Sequence, residues 1–418
     1  MIATPRNRAA ARIVASLCAA FVVSQFYRSW TAVIAPELIR DVGLSAEALG
    51  VLTGAFFLAF AVAQIPVGVL LDRFGPRHTV AGLLVFAVAG ALVFAAGRTP
   101  WALTLGRALM GLGCAGVFMG SLVVCARWFP PDRFATVAAV MLSVGGTGHL
   151  ISTTPLALAA EAVGWRGAFV GMAAITAALC ALVWVVVRDA PPGHPYHARR
   201  PESLGETIRG LREVLANPRL PYILAMSFVA YPAVATVLGL WAGPYLNDVH
   251  GLDAVDRGNV LLVAAGAMVV GTLCYGPLDR VFDTRKRIVV CGALATIAVL
   301  AALALAPSPA LWQAAALLVA LGGFGVFAVM IIAHGRAIFP ERLVGRGITV
   351  VNFANFSGVA VMQIAAGLIV GAFPAADGAA PEAAYRLVFG FLAATIVLAL
   401  MFYARAADAK PSEAEPAA

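Results

Sequence analysis

The sequence predicts an all-α membrane protein, with twelve transmembrane helices in two parallel-repeat six-helix bundles around a central cavity. Three observations lead there. The 418 residues are 61% hydrophobic and only 12% charged, with a mean hydropathy of +0.91, far from the roughly half-apolar, quarter-charged mix of soluble domains. The apolar runs are long enough, at roughly 20 residues each, to cross a hydrocarbon core of about 30 Å. Two polar motifs that separate such runs each occur twice, at offsets of 207 and about 209 residues.

The first run, Ile13 to Pro36, follows Arg6, Arg8 and Arg12. It is too long for a secretory apolar segment and no small-residue cleavage site follows, so it is read as a span. The second and third, Ala46 to Leu71 and Thr79 to Ala96, flank the charged stretch "LLDRFGPR" (Leu70 to Arg77). The fourth and fifth, Trp101 to Ala126 and Ala135 to Ala160, flank "RWFPPDR" (Arg127 to Arg133), and the sixth, Gly167 to Val187, follows "GWRGAF" (Gly164 to Phe169). A polar stretch then intervenes, Pro-broken at first and afterwards a short basic amphipathic helix. It divides the chain into an N-terminal bundle (1–188), a linker (189–219) and a C-terminal bundle with a short tail (220–418). The second six runs are Leu220 to Leu246, Asn259 to Leu278, Ile288 to Ala306, Leu311 to Ile338, Gly345 to Phe373 and Ala384 to Tyr403. "LLDRFGPR" returns as "PLDRVFDTRK" (Pro277 to Lys286) and "RWFPPDR" as "RAIFPER" (Arg336 to Arg342). Both pairs fall on one side of the membrane, so the repeats are parallel.

Orientation follows from the basic residues. With both termini cytoplasmic, 22 of the 29 Lys and Arg lie on inner segments, and the outer loops hold only Arg40, Arg98, Arg166, Arg257 and Arg386. The net charge of +8 therefore reads as a topology signal and an attraction to anionic lipid; no nucleic-acid partner is needed. The six cysteines all fall within spans, without a CxxC, and read as small packing residues.

Gly68, Leu70, Asp72, Arg73, Gly75 and Arg77 resemble the G-x-L-x-D-R-x-G-x-R/K signature of the major facilitator superfamily, between its second and third helices. "GWRGAF" and "RALMGLG" (Arg107 to Gly113) are similar to further elements of that family, and the resemblance covers nearly the whole chain. It implies a gating role for this cluster. Asp72 and Arg73, with Asp279 and Arg280 as a weaker mirror, would latch the bundles in the outward-open state, while Gly68, Gly75 and Arg77 shape the contact. A carboxylate at a helix end pairs with Arg and with a neighbouring helix N-terminus, and glycines let the backbones close in.

Charges inside a bilayer are costly and tend to face a cavity. Away from their ends the spans hold two, Arg28 and Arg107, and no Asp or Glu, so the cavity should attract anions. Ser24, Gln25 and Thr31 share the Arg28 face, and a guanidinium binds a carboxylate bidentately; Arg28 is the expected substrate ligand. Tyr27–Arg28 also resembles the first-helix signature of the family's organic-anion symporters, although Tyr27 stands where an Asp often precedes the Arg. Arg107 heads a small-residue face with Gly111 and Cys114 suited to close packing, and the resemblance implies that it tunes coupling or packing. His149 shares a face with Gly145, Ser152 and Thr153 and, with no buried carboxylate present, is the candidate proton carrier. Tyr231, Asn352, Asn355 and Gln363 are expected to complete the site from the second bundle, and Tyr245 flanks Trp241 with Tyr231. His334 reads as structural.

These features point to a secondary active transporter that moves a small solute, an organic anion, by alternating access with a coupling proton. Its partners would be a small-molecule substrate and membrane lipid; no cofactor is expected, and the protein would act as a monomer in a bacterial inner membrane. Three other readings compete. A drug exporter lacks support because "SVGGTGHLISTTP" departs from the helix 5 antiporter signature. A nitrate/nitrite porter is partly matched by "GGTGH" and Gln64, and a copper importer by the pairs Met110–Cys114 and Met330–His334. No GxSxG, HExxH or P-loop occurs, so neither an enzyme nor ATP-driven transport is indicated.

Overall fold

The computed structural model describes residues 5–193, 204–374 and 379–413. Helices α1 (Pro5–Ser29) and α2 (Thr31–Val42) form the first crossing, and Gly43 ends it in a left-handed cap, φ 68°, with its N–H on Ile39 O. Helix α3 (Ala46–Ala96) is 51 residues long and carries both the second and third crossings. The charged stretch expected as a loop is helical on both sides of a single break at Gly75 (φ 78°, ψ 161°). That backbone region is essentially restricted to glycine, and Pro76 restarts the helix where a missing N–H costs nothing. Helices α4 (Pro100–Cys114) and α5 (Val117–Trp128) make the fourth crossing. In the fifth, α6 (Pro131–Ile151) runs into α7 (Thr154–Val186), which breaks at Gly164 (φ 72°, ψ 157°) before making the sixth.

After α8 (Leu204–Leu215), the seventh crossing is built from α9 (Leu220–Ser227), α10 (Ala230–Thr236), a π-helical turn (Val237–Trp241) and α11 (Ala242–Asp248). The remaining five are α12 (Ala254–Val281), α13 (Lys286–Leu305), α14 (Leu311–Gly325) with α15 (Ala328–Ala337), α16 (Glu341–Gly371) and α17 (Glu382–Tyr403). Ten helical stretches are long and apolar enough to cross a membrane, with Thr136–Ile151 as a shorter one. Resolved at Gly75 and Gly164, these make twelve crossings among the described residues.

Small residues let the bundles meet backbone to backbone. A side chain at Gly243 would strike Ala32 O, and one at Gly50 would sit 2.6 Å from Gln363 O. Both contacts lie toward the end that carries Glu37 and Arg257. There Arg257, 1% exposed, donates to Glu37 Oε1 (2.6 Å), Val33 O (3.1 Å), Asn247 Oδ1 (2.8 Å) and Leu252 O (3.1 Å). Thr154 Oγ1 bonds Asn259 Oδ1 (2.9 Å) beside it. The seam is closed at this end by a cation from the second bundle seated on the first.

At the opposite, Asp72 end, Arg77 and Asp279 are held from within their own halves of the chain. The Arg77 amide donates to Asp189 Oδ1 (2.7 Å) and its Nε to Trp184 O (2.7 Å). Asp279 pairs with Arg285 (3.3 Å), while the amides of Arg285 and Lys286 donate to Asp408 Oδ1 (3.1 and 2.9 Å). Asp189 follows the sixth crossing and Asp408 the twelfth, so the repeat extends to an acidic cap on the third and ninth helices. Helix α8 docks on the second bundle, where Glu213 holds Arg342 with both oxygens and Asn217 Nδ2 donates to Ile338 O (2.9 Å). Cys274 and Cys291, on α12 and α13, are exposed, which corrects the reading of all six cysteines as packing residues.

Candidate functional site

Arg28 lies in the last turn of α1 and turns toward the seam between the bundles. Its guanidinium carbon stands 4.5 Å from the Phe60 ring centroid and 5.3 Å from that of Phe356. Phe60 belongs to α3 and Phe356 to α16, and the two rings meet edge to face at 4.5 Å. Both rings stand on one side of the cation, in cation–π contact. Nη2 reaches Ser24 Oγ at 3.4 Å, and Nε is buried without a partner.

Glycines bring α6 against α1: a side chain at Gly148 would strike Val22 O, and one at Gly145 the Phe21 ring. This approach sets His149 Nε2 3.1 Å from Gln25 Nε2 and Ser152 Oγ 2.8 Å from Ser29 Oγ. When the Gln25 amide donates, the imidazole is neutral with its proton on Nδ1; Gln25 Oε1 is buried without a partner. Arg28, Ser29, His149, Ser152 and Thr153 form the polar wall of a narrow cavity of about 40 Å³, room for a few waters. Across it, Tyr231 Oη is the polar group on a wall otherwise made by Val234, Leu238, Leu261, Ala265 and Met268. No Asp or Glu is among the lining residues described.

Several predicted site residues lie elsewhere. Tyr27 is fully buried and its hydroxyl meets Thr176 Oγ1 (2.9 Å) on α7. One residue along a helix is about 100° around the axis, so Tyr27 faces away when Arg28 faces the cavity. Thr31 is likewise buried off the cavity, its hydroxyl unpartnered. Arg107 is fully buried inside the first bundle, donates to Tyr27 O (2.7 Å) and lies 4.8 Å over Trp30 and 4.7 Å over Phe56. Gln363 packs beside Gly50 with Nε2 3.5 Å from Ala235 O, and Asn352 and Asn355 stand on α16 outside the cavity lining. Tyr245 packs on His250, Tyr385 and Phe389.

His334 is buried with Nδ1 on Tyr403 Oη (2.6 Å) and Nε2 on Ala407 O (3.1 Å). Both ring nitrogens are engaged, which removes it from the proposed soft-metal pair with Met330. Gln64 is buried and donates to Ala115 O within its own bundle (3.3 Å). Gly68 has open space before it, and Arg73 lies against Phe74.

Sequence reasoning missed the two phenylalanines around Arg28, because an aromatic in an apolar span reads alike toward lipid or cavity. It also missed Glu37 and Arg257, whose charges at span ends looked like ordinary loop residues.

The sequence profile of the Major Facilitator Superfamily matches residues 17–278 and 258–418. The chain is 31% identical over 222 residues to a nitrate/nitrite transporter, NrtP, of Picosynechococcus sp., covering 46% of this chain and 40% of that protein. It is 25% identical over 280 residues to a probable sulfoacetate transporter, SauU, of Cupriavidus necator, covering 65% of each. The aligned stretches thus span less than two thirds of these relatives' own length. In fold, it superposes on the crystal structure of a bacterial homolog of the human lysosomal transporter Spinster with a TM-score of 0.78 at 18% identity, covering 94% of this chain and 95% of that one.

Proposed function

Because the chain belongs to the Major Facilitator Superfamily, we propose that it is a secondary active transporter that carries a small organic anion, a carboxylate, by alternating access. The observation that carries this reading is the half-buried guanidinium of Arg28, with Phe60 and Phe356 beside it and its Nε unpartnered. A cation in an apolar cavity without a carboxylate selects an anion, and the fork geometry of Arg suits a carboxylate bound bidentately. Polar support comes from His149, Gln25 and Tyr231; Asn352, Asn355 and Gln363 would join only in another conformation.

His149 is the proposed proton carrier. A proton on Nε2 is accepted by Gln25 Oε1 after a half-turn of the amide, so both protonation states have a partner in place. Arg107 acts behind the site, tying α4 to the backbone of α1 one residue from Arg28. Residues 1–188 and 220–418 would rock as units about the 189–219 linker, with Glu37–Arg257 closing the outer side. The Asp72 and Arg73 cluster, with Asp279 and Arg280, would latch the cytoplasmic side when the outer side opens. The basic bias supports a cytoplasmic setting for that side and both termini, and the setting proposed is a bacterial inner membrane with the protein as a monomer.

A second reading, an inorganic-anion porter, is favoured by the similarity to the nitrate/nitrite transporter. Thermal stability of the purified protein with small carboxylates, nitrate, neutral sugars and cationic drugs separates the two. A ligand that binds only the folded state stabilises it by about 2.7 kcal/mol at a hundred times its dissociation constant. Stabilisation by a carboxylate that Arg28→Ala abolishes is the expected result; stabilisation by neutral or cationic ligands alone, equal in both proteins, would refute it.

A further inference from the structure

The two walls of the cavity differ in a way that narrows the substrate. The first-bundle wall holds one cation and a cluster of small hydroxyls around His149. The second-bundle wall has one hydroxyl, at Tyr231, and is otherwise hydrocarbon from α10, the π-helical turn and α12. A polyhydroxylated body placed there would give up water with no group to replace it, and a second carboxylate would have no second cation. Gly239 lies on the π-helical turn, lines the cavity, and has nothing within 4 Å of the place a side chain would occupy. π-Turns inside α-helices recur at functional sites; this one sets Leu238 and Gly239 both on the cavity side.

We infer that the substrate is a compact monocarboxylate with an apolar body: its carboxylate sits on the cavity-lining guanidinium of Arg28, whose Nε is unpartnered, and its hydrocarbon part lies against Leu238, Gly239, Leu261 and Met268. This rests on the reading of Arg28 as the anion ligand and goes further by assigning the opposite wall. The flexible side chains of Leu238 and Met268 accommodate the body beyond the present 40 Å³, and the bare face of Gly239 sets how bulky it can be.

The test uses the full-length protein in detergent, titrated with isovalerate, glycerate, succinate and nitrate while its melting temperature is followed. Wild type is expected to bind isovalerate at least about ten-fold more tightly than glycerate or succinate, the scale on which one or two buried methylenes discriminate. Gly239→Val should weaken isovalerate by about ten-fold and leave nitrate within about two-fold. Leu238→Ser, which adds a hydroxyl to the wall, should narrow the gap between isovalerate and glycerate and serves should the valine variant fold poorly. Equal or tighter binding of glycerate or succinate, or indifference of isovalerate affinity to both variants, overturns the assignment of the wall. Isovalerate binding that survives Arg28→Ala overturns the anion-ligand reading instead, and silence of all four probes at their solubility limits overturns both.

Discussion

Neutralising Glu37 should loosen the closed end of the seam. In the structure its Oε1 accepts a 2.6 Å bond from Arg257 Nη2, and Arg257 keeps three neutral acceptors besides. Glu37→Gln therefore leaves a hydrogen bond in place and removes its charge. A bond to a charged acceptor contributes about 1.5–3 kcal/mol and a neutral one about 0.5–1.5, a difference of roughly 1–1.5 kcal/mol. Because the Glu37 side chain is 21% exposed, solvent screening argues for the lower figure, about 1 kcal/mol. That corresponds to about a five-fold shift of the population toward opening at this end. The assay is the rate of maleimide labelling of Val33→Cys, a position buried in the seam (1% exposed), with the exposed Cys274 and Cys291 replaced by Ser. Labelling should accelerate by about five-fold with Glu37→Gln. Arg40→Gln, which removes the solvent-facing partner of the same carboxylate (72% exposed), should leave the rate nearly unchanged. A rate that Glu37→Gln does not raise, or that both variants raise equally, would refute the reasoning.

Three further outcomes can be checked. Gly75→Ala forces a side chain into φ 78°, ψ 161° and should cost about 1–3 kcal/mol, read as a lower melting temperature, whereas Gly82→Ala, with open space before it, should cost nothing. Arg107→Met removes a fully buried cation that has one protein hydrogen bond and no acidic partner described; stability should change by less than about 2 kcal/mol, while transport falls if Arg107 acts in coupling. Burial pushes the Asp408 carboxyl up, but the Thr284 hydroxyl and the amides of Lys286, Arg285 and Ala409 outweigh it and hold the group below the usual carboxylate range. With a folded-state pKa below the unfolded one, the contribution of this tie is full above the unfolded value and is lost as pH falls through the folded one. Limited proteolysis of the C-terminal tail should be slow near neutral pH and rise in acid below the ordinary carboxylate range, and Asp408→Asn should show the faster cleavage at all pH values.

Much of this protein was readable in its chain. Arg28 announced itself because a guanidinium inside an apolar run is too costly to keep unless a cavity receives it, and "LLDRFGPR" with its copy revealed the duplication. The twelve crossings followed from run length, since the bilayer imposes one length on every helix. A charged stretch between apolar runs does not show how few residues reverse the direction, and here a single break at Gly75, followed by Pro76, does so.

What only the tertiary structure decided was which groups meet. Tyr27 and Arg28 are neighbours in the chain and face different ways, one toward Thr176 and one toward the cavity. Phe60 and Phe356, and Glu37 and Arg257, are far apart in the chain and in contact across the seam. Hydrophobicity is a property of each residue and survives any arrangement of the helices, so it can be read one residue at a time. A contact between bundles depends on the rotation, depth and crossing of two helices at once, and these are set by where small residues let backbones approach, as Gly243 does at Ala32.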